Sequence, residues 1–130
     1  MNKKNILIYG ATGSVGDSVL SLIRKHKDIF NVVGMTCNLN IEKLSILSNE
    51  FNTMNIGIGN YNKEFNYKEY FVGKNVFFKL EEFKELINDN VDIIIFAISG
   101  VEILELSLDV AKSGKIVGMV NKESIISLGE

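Results

Sequence analysis

The chain has 130 residues, 46% hydrophobic and 23% charged, with a formal net charge of −2. That is enough for one domain with a real core, in an ordinary globular composition. The lysines are interspersed with Glu and Asp, so there is no electrostatic basis for holding nucleic acid or an anionic membrane surface.

A single cysteine, Cys37, excludes an intramolecular disulfide and fits a reducing compartment. No apolar stretch approaches the ~20 residues that span a bilayer. The N-terminus runs within a few residues into a core strand, without a signal-peptide pattern. The expectation is a cytoplasmic chain.

Ile6-Leu7-Ile8-Tyr9 reads as the first strand. Gly10-Ala11-Thr12-Gly13-Ser14-Val15-Gly16 follows, and then a segment with Val15, Val19, Leu22 and Ile23 at helical spacing. Strand, glycine turn and helix together open a dinucleotide-binding βαβ unit. Gly10 permits a tight turn because it has no Cβ. Gly13 lets the backbone approach a pyrophosphate, and Gly16 lets the helix pack closely on the strand. The N–H groups and positive dipole end of the helix's first turn would face the phosphates, with Thr12 and Ser14 adding hydroxyl donors. The spacing is G-x-x-G-x-x-G. A purely structural turn is the competing reading, and the position at the first strand–helix junction favours the ligand. His26, in Arg24-Lys25-His26-Lys27, suits the negative end of the helix dipole rather than catalysis.

Residues 32–37 read as the second strand, with Cys37 as a small core residue. Asn40 reads as the N-cap of a helix that puts Ile41, Leu44, Leu47 and Phe51 on one face. Residues 55–59 form a third strand. Tyr61, Phe65, Tyr67, Tyr70 and Phe71 suggest a short helix with its rings on the sheet. Residues 76–78 form a short strand. Leu80, Phe83, Leu86 and Ile87 mark another amphipathic helix. Residues 91–98, apolar apart from Asp92, read as a strand buried on both faces. A helix with Val101, Leu104, Leu108 and Ala111 on one stripe follows, stopped by Ser113-Gly114. Residues 116–120 are the last expected strand. Asn121-Lys122-Glu123-Ser124 then opens a short helix ending near Gly129.

Strands alternating with helices imply an α/β fold: a doubly wound, Rossmann-like parallel sheet with helices on both faces. Ligands bind at the carboxyl edge of such a sheet. Residues 10–16, 37–40, 98–100 and 121–123 should therefore converge. At the end of the second strand, where NAD-binding units often carry Asp or Glu, stands Thr36-Cys37-Asn38-Leu39-Asn40. No carboxylate is there to repel a 2′-phosphate, and Asn38 and Asn40 can donate to one. This favours NADP over NAD. Lys43 is the nearest cation, and Asn40 serves equally as a plain helix cap.

The glycine turn together with Asn121-Lys122-Glu123-Ser124 resembles the N-terminal, NADPH-binding part of 1-deoxy-D-xylulose 5-phosphate reductoisomerase over essentially the whole chain. That family opens on G-[SA]-T-G-S-[IV]-G and has A-N-K-E-S at this distance. The resemblance implies an NADPH-dependent, metal-requiring enzyme of isoprenoid biosynthesis by the non-mevalonate route, with Mg²⁺ or Mn²⁺ in the full-length protein. It implies that Thr12, Gly13, Ser14 and Val15 hold the pyrophosphate and that Asn121 and Glu123 contact the nicotinamide side. Lys122 would reach the sugar-phosphate substrate, where a cation can stabilise developing oxyanion charge. A homodimer is implied for the full-length enzyme.

Two departures stand out. The family commonly has Gly-Lys-Asn at the 2′-phosphate, where this chain has Asn38-Leu39-Asn40. The family's metal ligands, substrate-phosphate site and catalytic loop lie beyond position 130. Residues 1–130 are thus expected to be a single NADP-binding domain of a longer enzyme, inactive alone, with no catalytic or metal residue of its own. The alternatives are another NADP-dependent reductase, which would need a catalytic Cys or a Tyr-x-x-x-Lys pair, and a non-catalytic nucleotide-sensing module.

Overall fold

The computed structural model describes residues 3–60, 66–78, 82–87, 90–97, 116–120 and 125–129, the last two segments through their backbone. The elements are β1 (Lys4–Tyr9), α1 (Ser14–Arg24), β2 (Phe30–Cys37), α2 (Ile41–Glu50), β3 (Asn55–Ile58), α3 (Tyr67–Tyr70), β4 (Asn75–Phe78), a 3-10 turn (Phe83–Leu86), β5 (Ile93–Phe96), β6 (Ile116–Val120) and β7 (Ile125–Gly129).

They build one sheet in the order β4-β3-β2-β1-β5-β6-β7. Every neighbouring pair from β4 to β6 is parallel, and β7 runs antiparallel to β6. The chain steps outward from β1 to β4, then returns to the other side of β1 with β5. The strand order therefore reverses between β1 and β5. The crevice outside the carboxyl ends of these two strands is where a doubly wound sheet takes its ligand.

Period-two alternation in β1 covers both faces. Ile6 and Ile8 enter a core with Val19, Leu20 and Ile23 of α1 and Leu44 and Leu47 of α2. Leu7 and Tyr9 enter a second core with Phe83, Leu86, Ile94 and Phe96. A strand apolar on both sides is what a parallel sheet demands. Tyr9 stacks on Phe96 with ring centroids 5.1 Å apart. Its buried hydroxyl donates to the Phe83 carbonyl at 3.0 Å, so the phenol is satisfied and the end of β1 is fixed.

The helices follow their expected faces with two corrections. In α2, Ile41, Leu44 and Leu47 are buried, and Phe51, just past its end, is buried with them. In α1 the buried stripe is Gly16, Val19, Leu20 and Ile23, while Leu22 is 52% exposed. With about 100° per residue, the close approach of Gly16 turns Leu22 off the sheet. In the described part of the helix expected over residues 80–87, Glu82 is α-helical and Phe83–Leu86 tighten into a 3-10 turn. Its Phe83 and Leu86, both buried, are three residues apart and eclipse at three residues per turn. Tyr67 of α3 is buried and packs edge-on against Phe78 of β4, 4.9 Å between centroids. Tyr61 and Phe65 lie outside the described residues, as does the helix expected over 101–111.

The helix expected to run to Gly129 is instead the strand β7. Ile125 and Ile126 favour extended backbone, and pairing with β6 satisfies a row of N–H and C=O groups that would otherwise be a bare edge. In β5 the strand is shorter than the apolar run. Asp92 stands just before it and accepts the Asn5 N–H at 2.8 Å.

Candidate functional site

The β1–α1 turn stands on β2. Gly10 has a positive φ of 90°, which its missing side chain allows. Its N–H donates to Thr36 Oγ1 at 2.9 Å, and the Ala11 N–H donates to the Thr36 carbonyl at 2.8 Å. Thr36 is buried, so both hydrogen bonds are shielded from water and hold the turn over the carboxyl end of β2.

The remaining glycines of the motif differ in what surrounds them. A Cβ on Gly16 would collide with the carbonyls of Gly10 and Ala11. Among the described residues, a Cβ on Gly13 meets no atom within 4 Å. Gly13 is the N-cap of α1, in extended conformation, and no side chain caps that helix. Among the described residues, no side chain stands over the first-turn N–H groups at the positive end of the dipole. Thr12 and Val15 are half-buried, and Gly13 and Ser14 exposed. A phosphate fits this cradle chemically, and a side chain at 13 would fill it.

The β2–α2 loop forms the second wall. Asn38, Leu39 and Asn40 are exposed, and no carboxylate occurs between Thr36 and Asn40. Asn40 Oδ1 accepts the Lys43 N–H at 3.2 Å, so Asn40 does cap α2. Gly59 N–H donates to the Cys37 carbonyl and Asn60 N–H to the Asn38 carbonyl, tying the loop to the end of β3. Cys37 itself is buried, and burial pushes its thiol up to about 12. It is a core residue, as its position in the sequence suggested.

Sequence reasoning missed one pair. Lys43 Nζ lies 2.8 Å from the Asp17 carboxylate and donates to the Thr12 carbonyl at 2.9 Å. It bridges the two loops. Both residues were visible separately, Asp17 as a dipole partner and Lys43 as the nearest cation, but a contact across 26 residues has no local signal.

Other candidates lie away from this crevice. His26 follows α1 at the amino end of β2, the opposite edge of the sheet. Tyr70 and Lys74 have the spacing of a reductase Tyr-x-x-x-Lys pair. Lys74 precedes β4 and donates to the carbonyls of Thr53 at 2.7 Å and Ser48 at 3.2 Å. It caps the end of α2, and burial lowers its pKa. Asn121, Lys122 and Glu123 lie outside the described residues, as do residues 98–100. Among the described residues no three His, Cys, Asp or Glu side chains are grouped to hold a metal, and no helix is long and apolar enough to cross a membrane.

A family model described as 1-deoxy-D-xylulose 5-phosphate reductoisomerase matches residues 6–129. The protein of that name from Francisella tularensis subsp. novicida is 35% identical over 133 aligned positions, covering 98% of this chain and 33% of the relative. The one from Thermodesulfovibrio yellowstonii is 32% identical, with 98% and 34% covered. Among solved structures, the reductoisomerase from Zymomonas mobilis in complex with NADPH superposes with a TM-score of 0.83 at 27% identity, over 95% of this chain and 33% of that one. A reductoisomerase in complex with NADPH, fosmidomycin and magnesium gives 0.75 at 28% identity, over 93% and 31%. The chain spans about a third of the length of the relatives it matches.

Proposed function

The chain belongs to the 1-deoxy-D-xylulose 5-phosphate reductoisomerase family, and on that premise we propose that it is the NADPH-binding domain of such an enzyme. The reaction is the isomerisation and NADPH-dependent reduction of 1-deoxy-D-xylulose 5-phosphate to 2-C-methyl-D-erythritol 4-phosphate. NADPH supplies the hydride. The first-turn N–H groups of Gly13, Ser14 and Val15 and the Thr12 and Ser14 hydroxyls hold the pyrophosphate. Asn38 and Asn40 line the 2′-phosphate. Asn121 and Glu123 orient the nicotinamide end, and Lys122 holds the substrate oxygens where negative charge develops.

The divalent cation, Mg²⁺ or Mn²⁺, and a homodimeric state we assign to a polypeptide of the relatives' full length. A cytoplasmic location goes with this reading, with neither nucleic acid nor membrane as partner.

One observation carries the reading: among the described residues, the N-terminus of α1, at the switch point of the sheet, is uncapped and the space beside Gly13 is open. Two rival reductase classes lose their chemistry here, since Cys37 is buried and Lys74 sits at the wrong edge. The test is Gly13→Val. Its extended backbone accepts any residue, so the fold persists at a cost of about 1 kcal/mol for a poorer N-cap, while NADPH binding is lost. Unchanged NADPH affinity in the variant contradicts the proposal.

A further inference from the structure

In the NADP form of this fold a cation stands near the end of β2 to take the 2′-phosphate. Position 39 of this chain offers none: Leu39 is 67% exposed and apolar. The loop's own polar groups, Asn38 and Asn40, carry no charge, and the Asn40 carbonyl oxygen of the side chain is engaged in capping α2. The phosphate ester is close to dianionic at neutral pH, so amides alone leave its charge uncompensated.

We propose that Lys43, reaching back from the first turn of α2, is the residue that selects NADPH over NADH. This rests on the cofactor reading above and deepens it. Three observations place the ammonium for the task. It lies in the gap between the β1–α1 turn and the β2–α2 loop, because it donates to the Thr12 carbonyl at 2.9 Å. That gap is where the adenosine ribose lies in a dinucleotide-binding βαβ unit. The side chain is half-buried, and its stem is fixed at the root by the Asn40 cap.

Its other partner is Asp17, whose side chain is 55% exposed. An exposed ion pair is a weak one. A phosphate with two charges and three acceptor oxygens competes well against one solvated carboxylate. On NADPH binding the ammonium exchanges Asp17 for the 2′-phosphate and keeps the Thr12 carbonyl. NADH offers only a hydroxyl there and leaves the Lys43–Asp17 pair intact. Asp17 thus holds the cation in reserve without neutralising it permanently.

The test is a titration of the chain, Lys43→Gln and Asp17→Asn with NADPH, NADH and adenosine 2′-monophosphate, with thermal melts to establish that each is folded. Lys43→Gln should lose about tenfold or more in NADPH affinity, as expected for one charge-assisted hydrogen bond, and change NADH by less than about twofold. Adenosine 2′-monophosphate should follow NADPH. Asp17→Asn should bind NADPH a few-fold more tightly with NADH unchanged. Added salt should narrow the NADPH preference of the parent and not that of Lys43→Gln. Equal losses for both dinucleotides in Lys43→Gln would make Lys43 a strap between loops and overturn the proposal, as would no loss at all. Weaker NADPH binding in Asp17→Asn would overturn the exchange. A parent chain that binds neither dinucleotide overturns the cofactor reading itself.

Discussion

A Cβ placed on Gly16 would stand 2.6 Å from the carbonyl oxygen of Gly10. Neither side can yield cheaply, because Gly10 is held through its N–H on Thr36 and Gly16 is inside α1. Gly16→Ala should therefore cost about 1–3 kcal/mol as an overpacked site, lowering Tm by roughly 5–10 °C. Gly13→Ala should cost no more than the poorer N-cap, about 1 kcal/mol or less, since among the described residues the space at Gly13 is open. Thermal melts of the two variants check this. Equal destabilisation would mean that both glycines serve packing alone.

Cys37 gives a pH prediction. Its thiol is raised from an ordinary value of 9.0 to about 12 by burial. Above pH 9 the unfolded chain loses the thiol proton while the folded chain keeps it. Stability from this group is therefore full below pH 9 and declines as pH rises towards 12, by up to ~1.4 kcal/mol per pH unit. Denaturant melts across this range should show the decline, and Cys37→Ala should reduce its slope by one proton. A thiol reagent at pH 8 should label Cys37 only after unfolding. Fast labelling of the native chain would contradict the buried placement.

Much of this fold was legible because its signals are local. The alternation of Ile6, Leu7, Ile8 and Tyr9, the Asn40 cap and the apolar stripe of α2 each follow from a few adjacent residues. The tight turn at Gly10 and the close helix–strand approach at Gly16 were legible too, since both occupy known places in a strand–turn–helix unit. What failed was set by distant partners. Residues 125–129 pair with β6 because that strand presents an open edge, which no window of the sequence reveals. The face of α1 was misjudged at Leu22 because Gly16, a residue without hydrophobic weight, decides which side meets the sheet. The Lys43–Asp17 pair is likewise tertiary.

Lys122 tests the division between cofactor and substrate. In a polypeptide of the relatives' length that carries this domain, Lys122→Ala should reduce kcat or raise the substrate KM by tenfold or more, with NADPH affinity kept within about twofold. Residues 1–130 alone should give no turnover, with or without Mg²⁺ or Mn²⁺. Measurable turnover by these residues would sink the assignment of the chemistry to a longer chain. Loss of NADPH binding in Lys122→Ala would move that residue to the cofactor.

The most direct measurement is a calorimetric or fluorescence titration of the chain with NADPH and with NADH at the same salt concentration. With no carboxylate between Thr36 and Asn40 and an open helix N-terminus at Gly13, both dinucleotides should find the pyrophosphate cradle. NADPH should bind about tenfold more tightly through its 2′-phosphate. Equal affinities, or tighter NADH, would contradict an NADPH site at this edge of the sheet.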